Sequence, residues 1–562
     1  MADGIGHAIV DHVPDSAPGA REIGFQVPER YNASEILFDN LRAGRAEKVA
    51  IYATAGNTSY GDLCVNAARC GHALRSLGLV AGDRVLLLLN DTAAYPAVFF
   101  GAIRAGFVPV LINTLSPKDL IGFYLQDSAA PAAIIDAEYA ALFDEETIAG
   151  TSLRTLIVLN GDSARKRLPI EVLDGDGWFA QFPSELEAAP TGRDDMAFWM
   201  YSSGSTGRPK GIVHLQHDMI YTSMSFSDHV LAVKEDDICF SVPKIFFAYG
   251  LGNSITFPFS AGASTVLFAG RPEPGAVFEM IERFKPTLFF GLPTLYNALL
   301  HHPRIETADL SSVRLCLSAA EVLSQEIFND WKRRFGLEII EGLGSTEVLH
   351  IYLSNRREQR KTGTVGRRVP GYEIRLTTPD GEPVSQGEEG VMWVRGHSNA
   401  PCYWNRPDKT EQTMRDGGWI WTGDRLVEDA DGFFTFVGRV DDLIKVSGQW
   451  IYPIEIELCL SEHPAVRECA VLGLELPDRR MTAKAFVILR EGYAASDLLT
   501  RELQDYVKSK LLPYKYPRLI EYWPELPKTG TGKIDRQKLR SASLEAERED
   551  GPGVPPSSLS PA

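Results

Sequence analysis

The chain has too few cysteines, too widely scattered, for a disulfide framework. Its seven (Cys64, Cys70, Cys239, Cys316, Cys402, Cys459, Cys469) form no CxxC pair and have no histidine-rich spacing, so a zinc site is not suggested either. Positive charge is also in deficit. A formal charge of −17 argues against general nucleic-acid or anionic-membrane binding, so any phosphate ligand must be held by a local basic site. No apolar run reaches membrane-spanning length. The N-terminus carries Asp3, His7 and Asp11 rather than a basic region followed by an apolar core, which makes the cytoplasm the expected location. No fixed-period repeat is visible, excluding solenoids and propellers.

What is present is a chain of 562 residues, too long for one core, with an ordinary 44% hydrophobic content. Residues 1–29 read as a loosely packed N-terminal arm, and helical periodicity begins at Tyr31–Glu35 with Ser34 as its cap. Apolar runs at Arg84–Leu89, Val108–Ile112, Ala132–Ile135, Leu156–Leu159, Thr287–Phe290 and Val313–Leu317, with helical stretches between several of them, predict mostly parallel sheets covered by helices over residues 30–440. The character changes after Gly438-Arg-Val-Asp-Asp442. Residues 441–545 read as a compact α+β module and 546–562 as a disordered tail.

The run Tyr201-Ser-Ser-Gly-Ser-Thr-Gly-Arg-Pro-Lys-Gly211 lies between two short apolar stretches and reads as a loop joining strands. Its glycines let backbone N–H groups converge on one anion, and the hydroxyls, Arg208 and Lys210 add donors, which describes a polyphosphate cradle. It is not a Walker A loop, because Arg208 and Pro209 separate Gly207 from Lys210 and a strand follows. A Ser/Gly surface linker is the alternative. Further on, Gly342-Leu-Gly-Ser-Thr-Glu347 follows the apolar Leu337-Glu-Ile-Ile340, which places Glu347 just past a strand end, where a hard oxygen ligand suits Mg²⁺. Trp421-Thr-Gly-Asp424, Gly438-Arg439-Val-Asp441 and Pro527-Lys-Thr-Gly-Thr-Gly-Lys533 taken singly read as turns or linkers.

In this order the motifs resemble the signatures of the adenylate-forming enzymes, the superfamily of acyl-CoA synthetases, peptide-synthetase adenylation domains and luciferases. The resemblance implies an α/β fold with a large multi-sheet N-terminal domain and a small mobile α+β C-terminal domain. It implies ATP contacts from Ser202, Ser203, Gly204, Ser205, Thr206, Gly207, Lys210, Ala320, Glu321, Gly342, Leu343, Gly344, Thr346, Asp424, Arg439 and Lys533. It further implies that Glu347 is the Mg²⁺ ligand, that Asp424 and Arg439 take the ribose, and that Thr206, Glu347 and Lys533 are the catalytic set. Lys533 bridges carboxylate and α-phosphate. Leu343 stands where relatives often carry an aromatic residue.

Asp441 matches the hinge about which the small domain rotates, bringing Lys445, Ser447 and Gly448 to form a CoA tunnel. The run Lys244-Ile-Phe-Phe-Ala-Tyr-Gly-Leu-Gly-Asn253, with Leu349-His-Ile-Tyr352, is similar to benzoate-CoA ligases and other aryl-CoA ligases. On that likeness Phe247, Ala248, Tyr249, Gly344, His350 and Ile351 line a flat acyl slot. The expected substrates are therefore ATP, CoA and an aromatic carboxylate, with Mg²⁺ as cofactor and neither nucleic acid nor membrane as partner. A homodimer is left open as the assembly. Two alternatives stay open: an adenylating enzyme that loads a carrier-protein thiol, and a non-catalytic nucleotide-binding scaffold.

Overall fold

The computed structural model describes residues 13, 16–161, 168–202, 208–415, 417–446, 449–475, 481–528 and 534–549. The chain divides into two compact units, Met1–Thr422 with Glu428–Thr435, and Gly423–Val427 with Phe436–Ala562. The division falls inside the strands Trp419–Glu428 and Phe434–Arg439.

Two large sheets organise the first unit. One runs in the spatial order Glu171–Asp174, Thr155–Leu159, Ala132–Asp136, Arg84–Leu88, Val108–Leu111, Met196–Ser202, Lys210–Leu215. Its neighbours are parallel except the last pair, a hairpin. The run Arg84-Val-Leu-Leu-Leu88 is apolar throughout because both faces of the strand are covered. Val85 and Leu87 enter one core, with Phe99, Phe100 and Phe198, while Leu86 and Leu88 enter another, with Ile135 and Trp199.

The second sheet has a parallel centre containing Ile238–Ser241, Leu288–Gly291, Leu315–Ala319 and Ile339–Gly344. Antiparallel strands Ile351–Ser354 and Arg367–Arg368 extend it at one edge. Its core packs Phe240, Phe289 and Ile339 against Trp331 of the helix Gln325–Phe335, whose first turn is capped by Ser324 accepting from Ile327 N–H.

Three sequence expectations need correction. The N-terminal segment from residue 16 is not loose: the helix Pro18–Glu22 buries Gly19 and Ala20, and Glu22 pairs with Arg368 at 2.6 Å and accepts from Gly371 N–H. Phe25 is buried against Tyr221 and His397. Ser34 does not cap the helix Glu35–Arg42; its backbone is already helical, and its hydroxyl accepts from Arg104 instead. The region 373–439 is not α/β but a five-stranded sheet with antiparallel pairs, and its strands mix apolar with polar residues, so no long apolar run betrays them.

The second unit is α+β, as expected. Val466–Glu475 pairs antiparallel with Met481–Leu489, which pairs parallel with Leu519–Tyr522. The helices are Pro453–Ser461, Asp497–Lys510, capped by Ser496, and Arg536–Glu549, so helix continues into the span expected to be tail. Inside this unit Glu457 joins Arg536 through both carboxylate oxygens and accepts from Val471 N–H. All seven cysteines are buried and unbridged.

Candidate functional site

The hairpin Met196–Ser202 and Lys210–Leu215 carries the first motif. Ser202 is the register partner of Lys210, so the glycine-rich loop leaves the sheet at the carboxyl end of a strand parallel to Val108–Leu111, where ligands collect in such sheets. Ser203–Gly207, including Thr206, lie outside the described residues. The hairpin is braced from the segment Ala400–Asn405. Trp404 N–H donates to the Gly211 carbonyl at 2.7 Å, Trp404 Nε1 to the Asp127 carbonyl at 3.0 Å, and the Lys210 ammonium lies 4.2 Å from the centre of the Tyr403 ring.

The second motif ends in a constrained turn. The strand Ile339–Gly344 runs into a single 3₁₀ turn, Thr346–Val348, and returns antiparallel as Ile351–Ser354. Leu349 links them at φ +70°, a costly conformation for a branched residue. Three successive carbonyls of the turn are pinned from outside it: Thr346 by His214 Nε2 at 2.9 Å, Glu347 by Ala400 N–H at 2.7 Å, and Val348 by Ser398 Oγ at 2.8 Å. The Glu347 carboxylate receives the Tyr403 hydroxyl on Oε1 at 2.8 Å. Gly344 allows the two strands to close, since a Cβ there would stand 2.5 Å from the His350 carbonyl oxygen.

This turn delivers His350 into an aromatic recess. Ring centroids of Phe257, Phe226 and Tyr249 lie 4.6, 5.0 and 5.8 Å from its imidazole. A Cβ on Gly252 would stand 2.5 Å from the same ring, so the backbone of the π-helical segment Gly252–Thr256 forms its floor. Burial holds the imidazole pKa down at about 3. A backbone group of Tyr249 opposes the shift without meeting hydrogen-bond geometry, and neither ring nitrogen has a partner among the described residues. Phe247 and Ala248 begin the helix Ala248–Leu251 that carries Tyr249, whose hydroxyl donates to the Leu317 carbonyl at 3.3 Å. Asp91 anchors the approach to this helix, accepting from Ile245 N–H at 3.2 Å, and burial lifts its pKa to about 6.

Next to Leu317 the strand ends at Ala319, and Ala320 turns with φ +74°, which accounts for a small residue there. Ser318 pairs in register with Glu341, a buried carboxyl whose pKa is raised to about 7 by desolvation, against the attraction of Arg360. Thus Ala320, Gly342, Gly344, Thr346, Glu347, Tyr249, His350 and Ile351 are brought together by adjoining strand ends and one helix. Glu321 follows Ala320, and Leu343 pairs with Leu353.

In the second unit Arg439 donates to Asp424 Oδ1 at 2.9 Å and to Asp441 Oδ1 at 3.0 Å. Burial would lower its pKa, but the two carboxylates outweigh that and raise it. Asp424 lies in the strand Trp419–Glu428 rather than in a free turn. The Lys445 backbone lies in the strand Ile444–Val446, while Ser447, Gly448 and Lys533 lie outside the described residues.

Residues 38–404 match the AMP-binding enzyme family and residues 455–533 its C-terminal domain. The chain belongs to the AMP-binding enzyme family. It is 44% identical over 520 residues to the benzoate–CoA ligase of Thauera aromatica, covering 92% of this chain and 97% of that protein. It is 40% identical to the 4-hydroxybenzoate–CoA/benzoate–CoA ligase of Rhodopseudomonas palustris, over 92% and 94% of the two chains. Among solved structures it resembles the anthranilate CoA ligase AuaEII in complex with anthranoyl-AMP, with TM-score 0.87, 39% identity, and 93% and 99% of the two chains covered. A benzoate CoA ligase from Burkholderia xenovorans superposes with TM-score 0.83 at 39% identity, covering 91% of this chain and all of that one.

For an AMP-binding enzyme the chemistry of Glu347 fits a Mg²⁺ ligand. No group of three or more metal-ligating side chains occurs among the described residues, and Glu347 keeps one oxygen clear of the Tyr403 bond. A single carboxylate completed by phosphate oxygens and water is the usual Mg²⁺ arrangement, and the ion would neutralise charge on the phosphates. Sequence reasoning missed three residues packed against the candidate site. Tyr403 and Glu341 carried no local signal, because their partners are remote or they sit in an apolar run. His214 did carry one: two-residue periodicity puts it on the same face of the strand as Lys210.

Proposed function

We propose that this AMP-binding enzyme is an ATP-dependent aryl-acid:CoA ligase acting on benzoate or a hydroxy- or amino-benzoate. In the first step a carboxylate oxygen attacks the α-phosphorus of ATP and pyrophosphate leaves, giving an aroyl-adenylate. In the second the CoA thiol, losing its proton, attacks the carbonyl and AMP departs with the bonding pair. AMP supplies the leaving group that a carboxylate lacks.

The observation that carries the reading is the recess around His350. Phe226, Tyr249, Phe257 and the Gly252 backbone pack around the imidazole as an aromatic wall suited to a flat ring, and the turn that carries His350 also presents Thr346 and Glu347. The neutral imidazole, with both nitrogens buried and without a hydrogen-bond partner among the described residues, is the polar group in this wall that a carboxylate or ring substituent would meet on binding. The relatives' names, which include benzoate, 4-hydroxybenzoate and anthranilate, support the same class. In this reading Lys210 and the loop after Ser202 hold the β- and γ-phosphates, Asp424 and Arg439 the ribose, and Lys533 the charge that develops between carboxylate and α-phosphate.

The test is AMP release with CoA over benzoate, its hydroxy and amino derivatives, cinnamate and aliphatic acids. Turnover confined to benzoates is expected. Preference for an aliphatic acid, or activity only when a carrier protein replaces CoA, would refute it.

A further inference from the structure

The strand Lys210–Leu215 connects the two nucleotide motifs through one interior side chain. His214 and Asp218 are both fully buried. The imidazole Nδ1 lies 2.9 Å from Asp218 Oδ2 and Nε2 lies 2.9 Å from the Thr346 carbonyl; a carbonyl oxygen only accepts, so Nε2–H is the donor to the turn. Its plane is fixed by Phe198, stacked at a centroid distance of 5.1 Å and an angle of 25°. Asp218 is fixed in turn by Leu215 N–H, which donates to Oδ2 at 3.0 Å.

A ring held on one edge by Asp218 and on one face by Phe198 cannot adjust to its third partner, so that partner must adjust to it. The partner is a carbonyl in the turn that ends in the left-handed Leu349, where the main chain has most reason to relax. The other two external ties come from the segment Ser398–Ala400. Only the His214 tie comes from the strand that begins with Lys210.

We propose that His214, oriented by Asp218, is a positioning residue that sets the Thr346–Glu347 turn against the Lys210 strand, so that both motifs address one triphosphate. This rests on the roles proposed above for Thr346 and Glu347. Removing the donor lets the turn drift while the Lys210 strand stays in place. The loss falls on adenylation and on apparent MgATP affinity more than on attack of a thiol on preformed adenylate.

The test compares His214→Phe, which keeps a stacked ring without donors, with His214→Gln, whose amide still reaches the Thr346 carbonyl. Acid-dependent ATP–pyrophosphate exchange is measured against MgATP concentration, thioester formation from supplied aroyl-AMP is measured separately, and melting midpoints are recorded. The Phe variant should lose on the order of 10- to 100-fold in exchange kcat/KM, with a raised KM for MgATP, while the Gln variant recovers most of it. Thioester formation should change far less in both. Should the Phe variant not fold, Asp218→Asn, which frees the imidazole to rotate, should show the same raised KM.

Equal losses in Phe and Gln variants that track their melting midpoints would overturn the proposal, as would unchanged exchange in the Phe variant. Wild-type exchange by Glu347→Gln would instead overturn the assignment of the turn beneath it, and the Phe-to-Gln contrast distinguishes the two failures.

Discussion

A neutral imidazole among aromatic rings contributes hydrogen bonds without contributing charge. Because burial holds His350 at about 3 against its usual 6.5, the folded protein binds fewer protons there than the unfolded chain between those values. That stability is present above pH 6.5 and is lost as pH falls toward 3. The melting midpoint of His350→Phe should therefore fall less than that of the wild type between pH 7 and 5. The same variant should discriminate against hydroxy- and amino-benzoates relative to benzoate by roughly five- to tenfold, the equivalent of a hydrogen bond worth about 1 kcal/mol, measured as AMP release. Glu341 works in the opposite sense. Its pKa of about 7 lies above the usual 4.5, so its contribution is present below 4.5 and lost as pH rises through 7. Glu341→Gln should raise the melting midpoint of the ligand-free enzyme at pH 8.5 and leave it nearly unchanged at pH 4.5, checked by calorimetry. At this scale the motif residues were readable from their neighbours in sequence. Tyr403 was not, because what gives it meaning is Glu347, a distant residue met only after folding.

Elements were legible where burial on both faces writes a continuous apolar run. All the strands expected from such runs occur, from Arg84–Leu88 to Leu315–Ala319. The strands near Glu373 and Glu389 alternate with solvent-facing residues and went unread. The N-terminal helix Pro18–Glu22 was missed for a related reason, since a short, small-residue segment shows no periodicity and is ordered by what it lands on. Phe25→Ala should cost about 3 kcal/mol of local packing. Faster amide exchange across residues 16–29 would report it. The pairing of Ile339–Gly344 with Ile351–Ser354 depends on the absence of a side chain at one position. Gly344→Ala forces a methyl against the His350 carbonyl, and the strand or the turn must move. A loss of about 1–3 kcal/mol and a collapse of ATP–pyrophosphate exchange are expected. Retained exchange at a normal melting midpoint would count against the turn as part of the site.

For the whole chain, the change of pattern after Gly438 announced a second domain, and the structure divides the chain between Thr422 and Phe436. The sequence could not place that division at one residue because the chain crosses between units three times within adjoining strands, not through a polar linker. The two half-reactions are assigned to different parts of the second unit, which makes them separable by mutation. Lys533→Ala should lower adenylation by roughly 100- to 1,000-fold, as expected for a lost charge-stabilising group, while sparing thioester formation from supplied aroyl-AMP. Gly448→Trp should do the reverse. Parallel losses in both assays for either variant would refute its assignment.

The interior placement of every native thiol has a practical consequence. With Cys64 and Cys402 pushed up to about 12 and about 11 and shielded from solvent, maleimide reagents should find nothing to label on the intact enzyme. A single cysteine introduced at Leu498, which is 78% exposed on the helix Asp497–Lys510, would then carry a fluorophore on the second unit alone, with no background to subtract.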